Sequence, residues 1–174
     1  GSYLEAQDMF RENGIFRDVL LHKYEKTYIY DYEAIPVKKG NKYNLTVKAD
    51  VKGDLKNKTL EIALHDGSKF IAKETIEAKN KNVVVFKNLT VDEWSAETPR
   101  LYELYITIYN GKNETMTIRS YTGFKDIKIK NAVFYFNGKK VKLKGVNHHD
   151  THETKGYCMN YDDLLKDVLL MKEY

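Results

Sequence analysis

Alternation of apolar and polar side chains is the feature that most constrains the fold of this chain. It runs without interruption through residues 43–51 and returns in residues 60–64 and 102–108. A period of two places successive side chains on opposite faces of an extended strand, so each of these strands has one face suited to burial. No helical period interrupts the stretch from Tyr24 to Phe124, which excludes a helical bundle there.

Turn signals and further strand-like runs complete this pattern. Four more runs have strand character: residues 27–35, 71–76, 83–86 and 115–122. Asn110-Gly111 separates two alternating runs, and this dipeptide is a strong hairpin signal. About seven short strands without helices between them predict an all-β fold, an immunoglobulin-like antiparallel β-sandwich over residues 23–126. Trp94 lies in a non-strand stretch before Pro99 and is predicted to close one end of the sandwich, with sugar stacking as the alternative role.

A different pattern follows the sandwich. Val133–Phe136 and Val141–Val146 flank an Asn-Gly turn and predict a C-terminal β-hairpin. A polar loop over residues 148–159 comes next, and apolar residues at helical spacing then predict one amphipathic α-helix over residues 161–174, with Asn160 as its N-cap. A strand, a loop and a helix form half of a βαβ unit, so we expect the natural chain to continue into a partner strand.

The first 22 residues lack a domain pattern of their own. Residues 15–21 have β character, after a turn at Asn13-Gly14. Two arginines, Arg11 and Arg17, stand beside acidic residues and are predicted to form ion pairs that hold this segment to a neighbouring domain.

Charge and cysteine content narrow the classes of partner. The net charge of +4 comes from 29 Lys and Arg against 25 Asp and Glu, and most of the bases are lysines spread evenly along the chain. Nucleic-acid-binding proteins cluster their bases with Arg prominent, so we expect no nucleic-acid partner. No apolar run approaches the roughly 18 residues of a membrane span, so we expect no membrane partner either. Cys158 is the only cysteine, which excludes an intrachain disulfide and is typical of a reducing compartment.

The loop after the hairpin carries the densest cluster of functional side chains: His148, His149, Asp150, His152 and Glu153. Imidazoles and carboxylates are ligands that zinc accepts, so a metal site is one interpretation of the cluster. Adjacent His148 and His149 point in opposite directions on an extended chain, which argues against that interpretation.

Three stretches, in order along the chain, are similar to glycoside hydrolase family 2. YLEAQDMFRENGIFRDVLLH resembles the end of the family's sugar-binding jelly roll, which places the tail of that domain at residues 1–22. EWSAETPRLYELYITIYNG resembles the immunoglobulin-like second domain. FNGKKVKLKGVNHHDTHETKGYCMNYDDLLKDVLLMK resembles the entry to the catalytic (β/α)8 barrel, so residues 127–174 would be the start of a truncated barrel. Within the family, HHDTH and DVLLMK resemble β-galactosidases more than β-glucuronidases or β-mannosidases.

The resemblance implies roles for three residues of the loop. His149 aligns with a histidine that contacts the sugar, Asn147 is expected to shape the loop, and Asp150 stands where the family often has Glu. At His148 many relatives carry Arg, so no role is assigned there. These three residues, Asn147, His149 and Asp150, are the predicted substrate-binding set.

The resemblance also implies a retaining hydrolase of terminal β-D-galactosides. Its two catalytic glutamates and its magnesium ligands are expected on later barrel strands, so we expect no catalytic residue and no metal or other cofactor site in this chain, and no activity. Magnesium, and sodium as a second ion, are expected for the longer protein, together with a galactoside substrate, neighbouring domains, homo-oligomeric assembly and a bacterial cytoplasmic location. The alternative is a free-standing immunoglobulin-like module that binds carbohydrate or protein.

Overall fold

The structure, a computed structural model, describes residues 13–174, which divide into two compact units. One unit comprises residues 23–142, and the other comprises residues 13–22 together with residues 143–174. Every strand of the described residues lies in the first unit, and the helix lies in the second. The contacts that stabilise the sandwich are therefore different from those that stabilise the helix.

Within the described residues, seven antiparallel strands form the two sheets of a sandwich in the first unit. Their bounds are β1 Thr27–Lys39, β2 Lys42–Gly53, β3 Lys58–Asp66, β4 Lys69–Glu77, β5 Lys81–Leu89, β6 Tyr102–Asn110 and β7 Asn113–Thr122. One sheet has the order β1-β2-β5 and the other β4-β3-β6-β7. The chain therefore changes sheets between β2 and β3, and the predicted immunoglobulin-like sandwich of about seven strands is confirmed.

The core of the sandwich follows directly from the alternation in the sequence. Every second side chain of β2, β3 and β6 points inward, and these residues are almost completely buried: Tyr43, Leu45, Val47, Ala49, Val51, Leu60, Ile62, Leu64, Leu104, Ile106 and Ile108. They belong to one hydrophobic cluster that includes residues of both sheets. Each fully buried aliphatic side chain stabilises the fold by about 1.5–3 kcal/mol relative to exposure, so this cluster is the main source of stability.

A polar cluster lies at the margin of this core. Tyr43 is 2% exposed, and its hydroxyl donates a hydrogen bond of 2.8 Å to Oε1 of Glu93. Nζ of Lys38 donates to the same oxygen. The hydrogen bond from Lys38 lowers the pKa of Glu93, with a smaller effect from Tyr43, while burial raises the pKa of Tyr43. The carboxylate therefore satisfies a buried hydroxyl that would otherwise lack an acceptor.

A small sheet continues the first unit beyond the sandwich. Its strands β8 Ile127–Lys130, β9 Val133–Phe136 and β10 Lys139–Lys140 pair in the order β10-β9-β8. The predicted second arm Val141–Val146 is wrong, because β10 ends at Lys140 and residues 141–150 lie in no strand. The reason is the length of β9: it starts at Val133, so backbone pairing ends where Val141 donates to Phe134, at 3.1 Å.

Asn137 and Trp94 connect this small sheet to the end of the sandwich. The Asn137 side chain accepts from the Asp126 amide at 2.9 Å and donates to the Trp94 carbonyl at 3.0 Å. The Trp94 amide in turn donates to the Phe124 carbonyl at 2.8 Å, and its half-buried ring makes an edge contact with Phe136. Trp94 thus lies between sandwich and small sheet.

The second unit contains an irregular segment, a loop and a helix. Residues 13–22 form no strand, so the predicted β character of residues 15–21 is wrong; none of the described residues provides a strand that pairs with them. Helix α1 spans Tyr161–Glu173, and its predicted N-cap Asn160 is confirmed. Asn160 and Asp163 form a reciprocal capping box, each side chain accepting the other's backbone amide at 3.0 Å.

The apolar side chains of α1 are largely open to solvent. No residue of this helix is buried, and five apolar residues on it are 39–56% exposed: Leu165, Val168, Leu169, Leu170 and Met171. In the described part of the chain, no helix has the length and apolar character needed to cross a membrane. The contrast with the sandwich core is direct, since the same residue types are buried there.

Candidate functional site

The candidate site lies in the second unit, on the loop between residue 147 and α1. A tight turn shapes this loop: the backbones of His152 and Gly156 exchange two hydrogen bonds of 2.8 and 2.9 Å. Gly156 has φ +56°, a conformation that glycine adopts without steric cost. The turn is extended by a hydrogen bond of 3.0 Å from the Cys158 amide to the Lys155 carbonyl. The loop therefore has internal structure, although most of it is exposed.

His148 connects this loop to the helix. Its Nε2 lies 3.1 Å from Oδ2 of Asp167 on α1, and its Nδ1 lies 3.3 Å from Oδ1 of Asp150. The imidazole therefore lies within reach of one carboxylate on the loop and one on the helix. His148 is thus a structural connection, with both of its polar atoms already directed at protein groups.

Two of the three predicted substrate-binding residues line a pocket of about 350 Å³. His149 and Asp150 share it with His148 from the loop and with Phe16, Arg17 and Tyr157. The His149 ring has no hydrogen-bond partner among residues 13–174, whereas Asp150 contacts His148. A pocket with aromatic rings, a guanidinium, a carboxylate and an uncommitted imidazole presents both apolar and hydrogen-bonding surface.

Asn147, the third predicted residue, is exposed and does not line this pocket. Its role in shaping the loop stays a prediction, as does substrate binding by His149 and Asp150. The structure brings the last two together and leaves Asn147 at the start of the loop.

Phe16, Arg17 and Tyr157 are site residues that the sequence did not indicate. Arg17 donates a hydrogen bond from Nη1 to the backbone carbonyl of Tyr157. The rings of Phe16 and Tyr157 lie 5.6 Å apart, and the Arg17 guanidinium lies 5.0 Å from the Phe16 ring centre. The ion pairs predicted for Arg17 are replaced by this contact, while Arg11 and Glu12 lie outside the described residues. No local pattern in residues 13–22 indicates an acceptor so distant in sequence.

The other polar groups of the loop make hydrogen bonds within the loop and with the first turn of α1. Nζ of Lys155 is 2.8 Å from both carboxylate oxygens of Asp163. This hydrogen bond, followed by the one from the Asn160 amide, lowers the pKa of Asp163. Nδ1 of His152 accepts from Thr154 at 3.2 Å. These contacts order the turn and the start of the helix, and His152 does not line the pocket that contains His149.

The metal interpretation of the loop finds no geometric support in the described residues. Within residues 13–174, no group of three or more His, Cys, Asp or Glu side chains is arranged to hold a metal ion. His148 and His152 both have protein partners already. The magnesium implied by the resemblance does not fit the residues present, and no chemical step is assigned to a metal in this chain.

Two protein-family models match the chain. The model for glycosyl hydrolases family 2 matches residues 27–125, more than half of the chain. The model for the TIM barrel domain of the same family matches residues 127–174. The two matches follow each other in the order that the sequence motifs indicated.

Curated relatives match along almost the whole chain. It is 35% identical over 188 residues to a β-galactosidase of Alteromonas mediterranea and 34% identical over 192 residues to a β-galactosidase of Priestia megaterium. A β-galactosidase of Streptococcus thermophilus is 30% identical over 183 residues. Each alignment covers 99% of this chain, and the chain spans only about 18% of the length of these relatives.

Solved structures of similar fold include two bacterial β-glucuronidases. The enzyme of Parabacteroides merdae gives a TM-score of 0.75 at 20% identity, over 84% of this chain and 20% of that one. The enzyme of Ruminococcus gnavus in complex with uronic isofagomine gives 0.73 at 17% identity, over 84% of this chain and 23% of that one. Identity at this level supports a shared fold and carries no argument about substrate.

Proposed function

Because the chain belongs to glycosyl hydrolase family 2, we propose that it is part of a longer retaining β-galactosidase that hydrolyses terminal β-D-galactosides. The observation that carries this proposal is the agreement with β-galactosidases at 30–35% identity along 99% of the chain. The agreement extends through the sandwich and through residues 148–158, so it does not depend on the common sandwich fold alone.

In this proposal the sandwich is a spacer that fixes the geometry of neighbouring domains. Its core is closed by its own two sheets, and its polar cluster at Glu93 is satisfied by Lys38 and Tyr43. A domain with a close-packed core resists deformation when neighbouring domains contact it, which suits a structural role. The hydrogen bonds of Asn137 attach the small sheet to the end of the sandwich.

The proposed sugar contact is His149, with Asp150 beside it and Asn147 shaping the loop. Supporting this role, the His149 ring has no hydrogen-bond partner among the described residues and lies in a pocket with an aromatic ring, Phe16. A sugar offers hydroxyl groups to an imidazole and an apolar ring face to an aromatic side chain. Hydrogen bonds to hydroxyls contribute to catalysis when they strengthen as the sugar ring distorts towards the transition state.

The covalent chemistry is proposed to belong to parts of the longer protein outside this chain. A retaining glycosidase needs two carboxyl groups about 5–5.5 Å apart, one as nucleophile and one as acid and base. Three carboxylates in this unit are engaged instead: Asp150 of the loop and Asp167 of α1 with His148, and Asp163 of α1 with Lys155. We therefore expect the isolated chain to be inactive, and we assign magnesium and sodium to the longer protein.

Location and assembly complete the proposal. Cys158 is an exposed free thiol, which supports a reducing compartment and hence a bacterial cytoplasmic location. Assembly into a homo-oligomer is proposed for the longer protein on the family resemblance alone.

The test compares the longer hydrolase, the 174-residue chain and a His149→Phe variant with a chromogenic β-galactoside. We expect turnover by the longer protein, none by the chain alone, and at least a tenfold lower kcat/KM in the variant, which keeps a ring but loses both nitrogens. His65→Phe, on the sandwich, is the matched control and should leave kcat/KM unchanged.

Two results would overturn this proposal. Hydrolysis of a β-glucuronide in preference to the β-galactoside would reject the substrate. Saturable micromolar binding of galactose by the isolated chain would favour the alternative, a free-standing carbohydrate-binding module.

A further inference from the structure

We propose that Phe16 and Arg17 act as positioning residues for the histidine loop, defined here as residues 148–158. The proposal rests on the function proposed for His149. It assigns to a segment far away in sequence the task of holding His149 and Asp150 at the pocket. Neither residue is expected to take part in bond breaking.

The loop is attached to the rest of its unit at three places, one of which is the ion pair of Lys155 with Asp163 of α1, at 2.8 Å. At its start, His148 contacts Asp167 of α1 at 3.1 Å. Near its end, the Tyr157 carbonyl accepts from Arg17, and the Tyr157 ring packs on Phe16 at 5.6 Å. His149 lies between the His148 contact and the other two attachments. Removing the attachment at Tyr157 leaves the loop with the His148 and Lys155 contacts to α1 and its own internal turn.

Chemistry favours an arginine for this attachment. The guanidinium offers several donors in a fixed plane, so it can donate to a carbonyl while its face stays against the Phe16 ring at 5.0 Å. A lysine in place of Arg17 can donate to the carbonyl but cannot stack in the same way. The acceptor is a backbone atom, so the contact fixes the path of the loop irrespective of the side chain at position 157.

The position of Arg17 also places it where it affects the pocket directly. Phe16 and Arg17 line the same concave surface of about 350 Å³ as His149 and Asp150. Phe16 and Arg17 therefore form part of the pocket wall and also contact Tyr157, which lines the same pocket. Displacing them is expected to change the loop geometry and the shape of the pocket together.

The first experiment measures loop order in the 174-residue chain by amide hydrogen exchange. Three loop amides, those of His152, Gly156 and Cys158, donate hydrogen bonds within the loop and report on its order. In Arg17→Met we expect their exchange to accelerate about threefold to tenfold, as expected for loss of one charge-assisted hydrogen bond. Arg119→Met removes an exposed guanidinium from the sandwich and is the matched control, with no change expected at these amides. Unchanged exchange in Arg17→Met would overturn the proposal.

A double-mutant cycle provides a second variant that keeps the arginine. Phe16→Leu and Tyr157→Leu each remove one ring of the contact, and their effects on loop exchange should be less than additive because they remove the same interaction. Fully additive effects would show that the two rings do not act together, and would reject the attachment through Phe16.

The third measurement separates this proposal from the function of the site. In the longer hydrolase, Arg17→Met should lower kcat/KM about tenfold in the wild-type background and have little further effect in His149→Phe. Arg17→Lys should restore part of the loss. If His149→Phe is fully active, the proposed function fails, and loop exchange still decides the positioning role. If the losses in kcat/KM caused by Arg17→Met and His149→Phe are additive in free energy, positioning of His149 by Arg17 is rejected. The proposed role of His149 in substrate binding would be unaffected by that result.

Discussion

Ile106 in β6 and Leu169 in α1 are both branched aliphatic residues, yet Ile106 is 0% exposed and Leu169 is 56% exposed. The sandwich buries its apolar residues because two sheets provide two facing apolar surfaces within one unit. The helix has only its own apolar face and, within residues 13–174, no surface that buries it. The periodicity of a sequence thus indicates that a strand or helix has an apolar face. Whether that face is buried depends on a second apolar surface from another part of the fold.

The largest expected effect compares one truncation in each unit. Ile106→Ala should lower the free energy of unfolding of the sandwich by about 2–5 kcal/mol, because it removes buried methyl groups and leaves a cavity. Leu169→Ala, at an exposed helix position, should change it by less than about 0.5 kcal/mol. Urea unfolding followed by fluorescence of Trp94, which lies at the end of the sandwich, measures both. Equal losses would show that the helix is buried to the same degree and would break the comparison.

A smaller effect is expected at the polar margin of the core. Glu93→Gln should cost about 1 kcal/mol at pH 7, because the amide oxygen accepts from Lys38 without the negative charge that strengthens this hydrogen bond. Glu33→Gln is the control: its ion pair with Lys48, at 2.9 Å, has both side chains at least half exposed and should be nearly neutral.

The same pair of variants has a defined pH dependence. The pKa of Glu93 is lower in the folded protein than in the unfolded chain, so its contribution is complete above the ordinary glutamate pKa of about 4.3. It is lost as the pH falls through the lowered folded value. Unfolding free energies of the wild type and Glu93→Gln should therefore converge on acidification. A difference that persists in strong acid would contradict the assigned cause.

The smallest effect concerns the helix cap. Asn160→Ala should destabilise α1 by about 1 kcal/mol and lower its helical content, whereas Asn160→Ser retains a capping oxygen and should preserve most of it. NMR Cα shifts of residues 161–173 report the helix, and Trp94 fluorescence reports the sandwich. We expect the sandwich to be unaffected, and a parallel loss of its stability would show that the two units unfold together.

Local patterns in the sequence predicted the strands and the helix, because these depend on neighbours a few residues away. The alternation at residues 43–51 and the N-cap Asn160 are of this kind, and both were confirmed. Residues 15–21 show the limit: their composition favours β-structure, but a strand also needs a pairing partner, which the composition does not supply.

The candidate pocket could be anticipated from the sequence only in part, for a related reason. His149 and Asp150 were identified from the loop and its resemblance to the family, and they meet in one pocket. Phe16, Arg17 and Tyr157 were missed because their contacts join segments that are distant in sequence. Arg17 donates to a backbone carbonyl, and every residue has one, so the sequence does not indicate which carbonyl it will be. The acidic residues beside Arg17 predicted ion pairs instead.

The three hydrogen bonds of Asn137 determine where this chain can be divided. The two family models meet at residue 126, yet Asn137 bonds to the backbone of Asp126 in both directions and to the carbonyl of Trp94. A sandwich excised at residue 126 would lose these partners and the ring of Phe136 that covers Trp94. A protein engineer who recombines such domains should keep residues through Lys142 with the sandwich, so that the new junction falls after the last backbone pair.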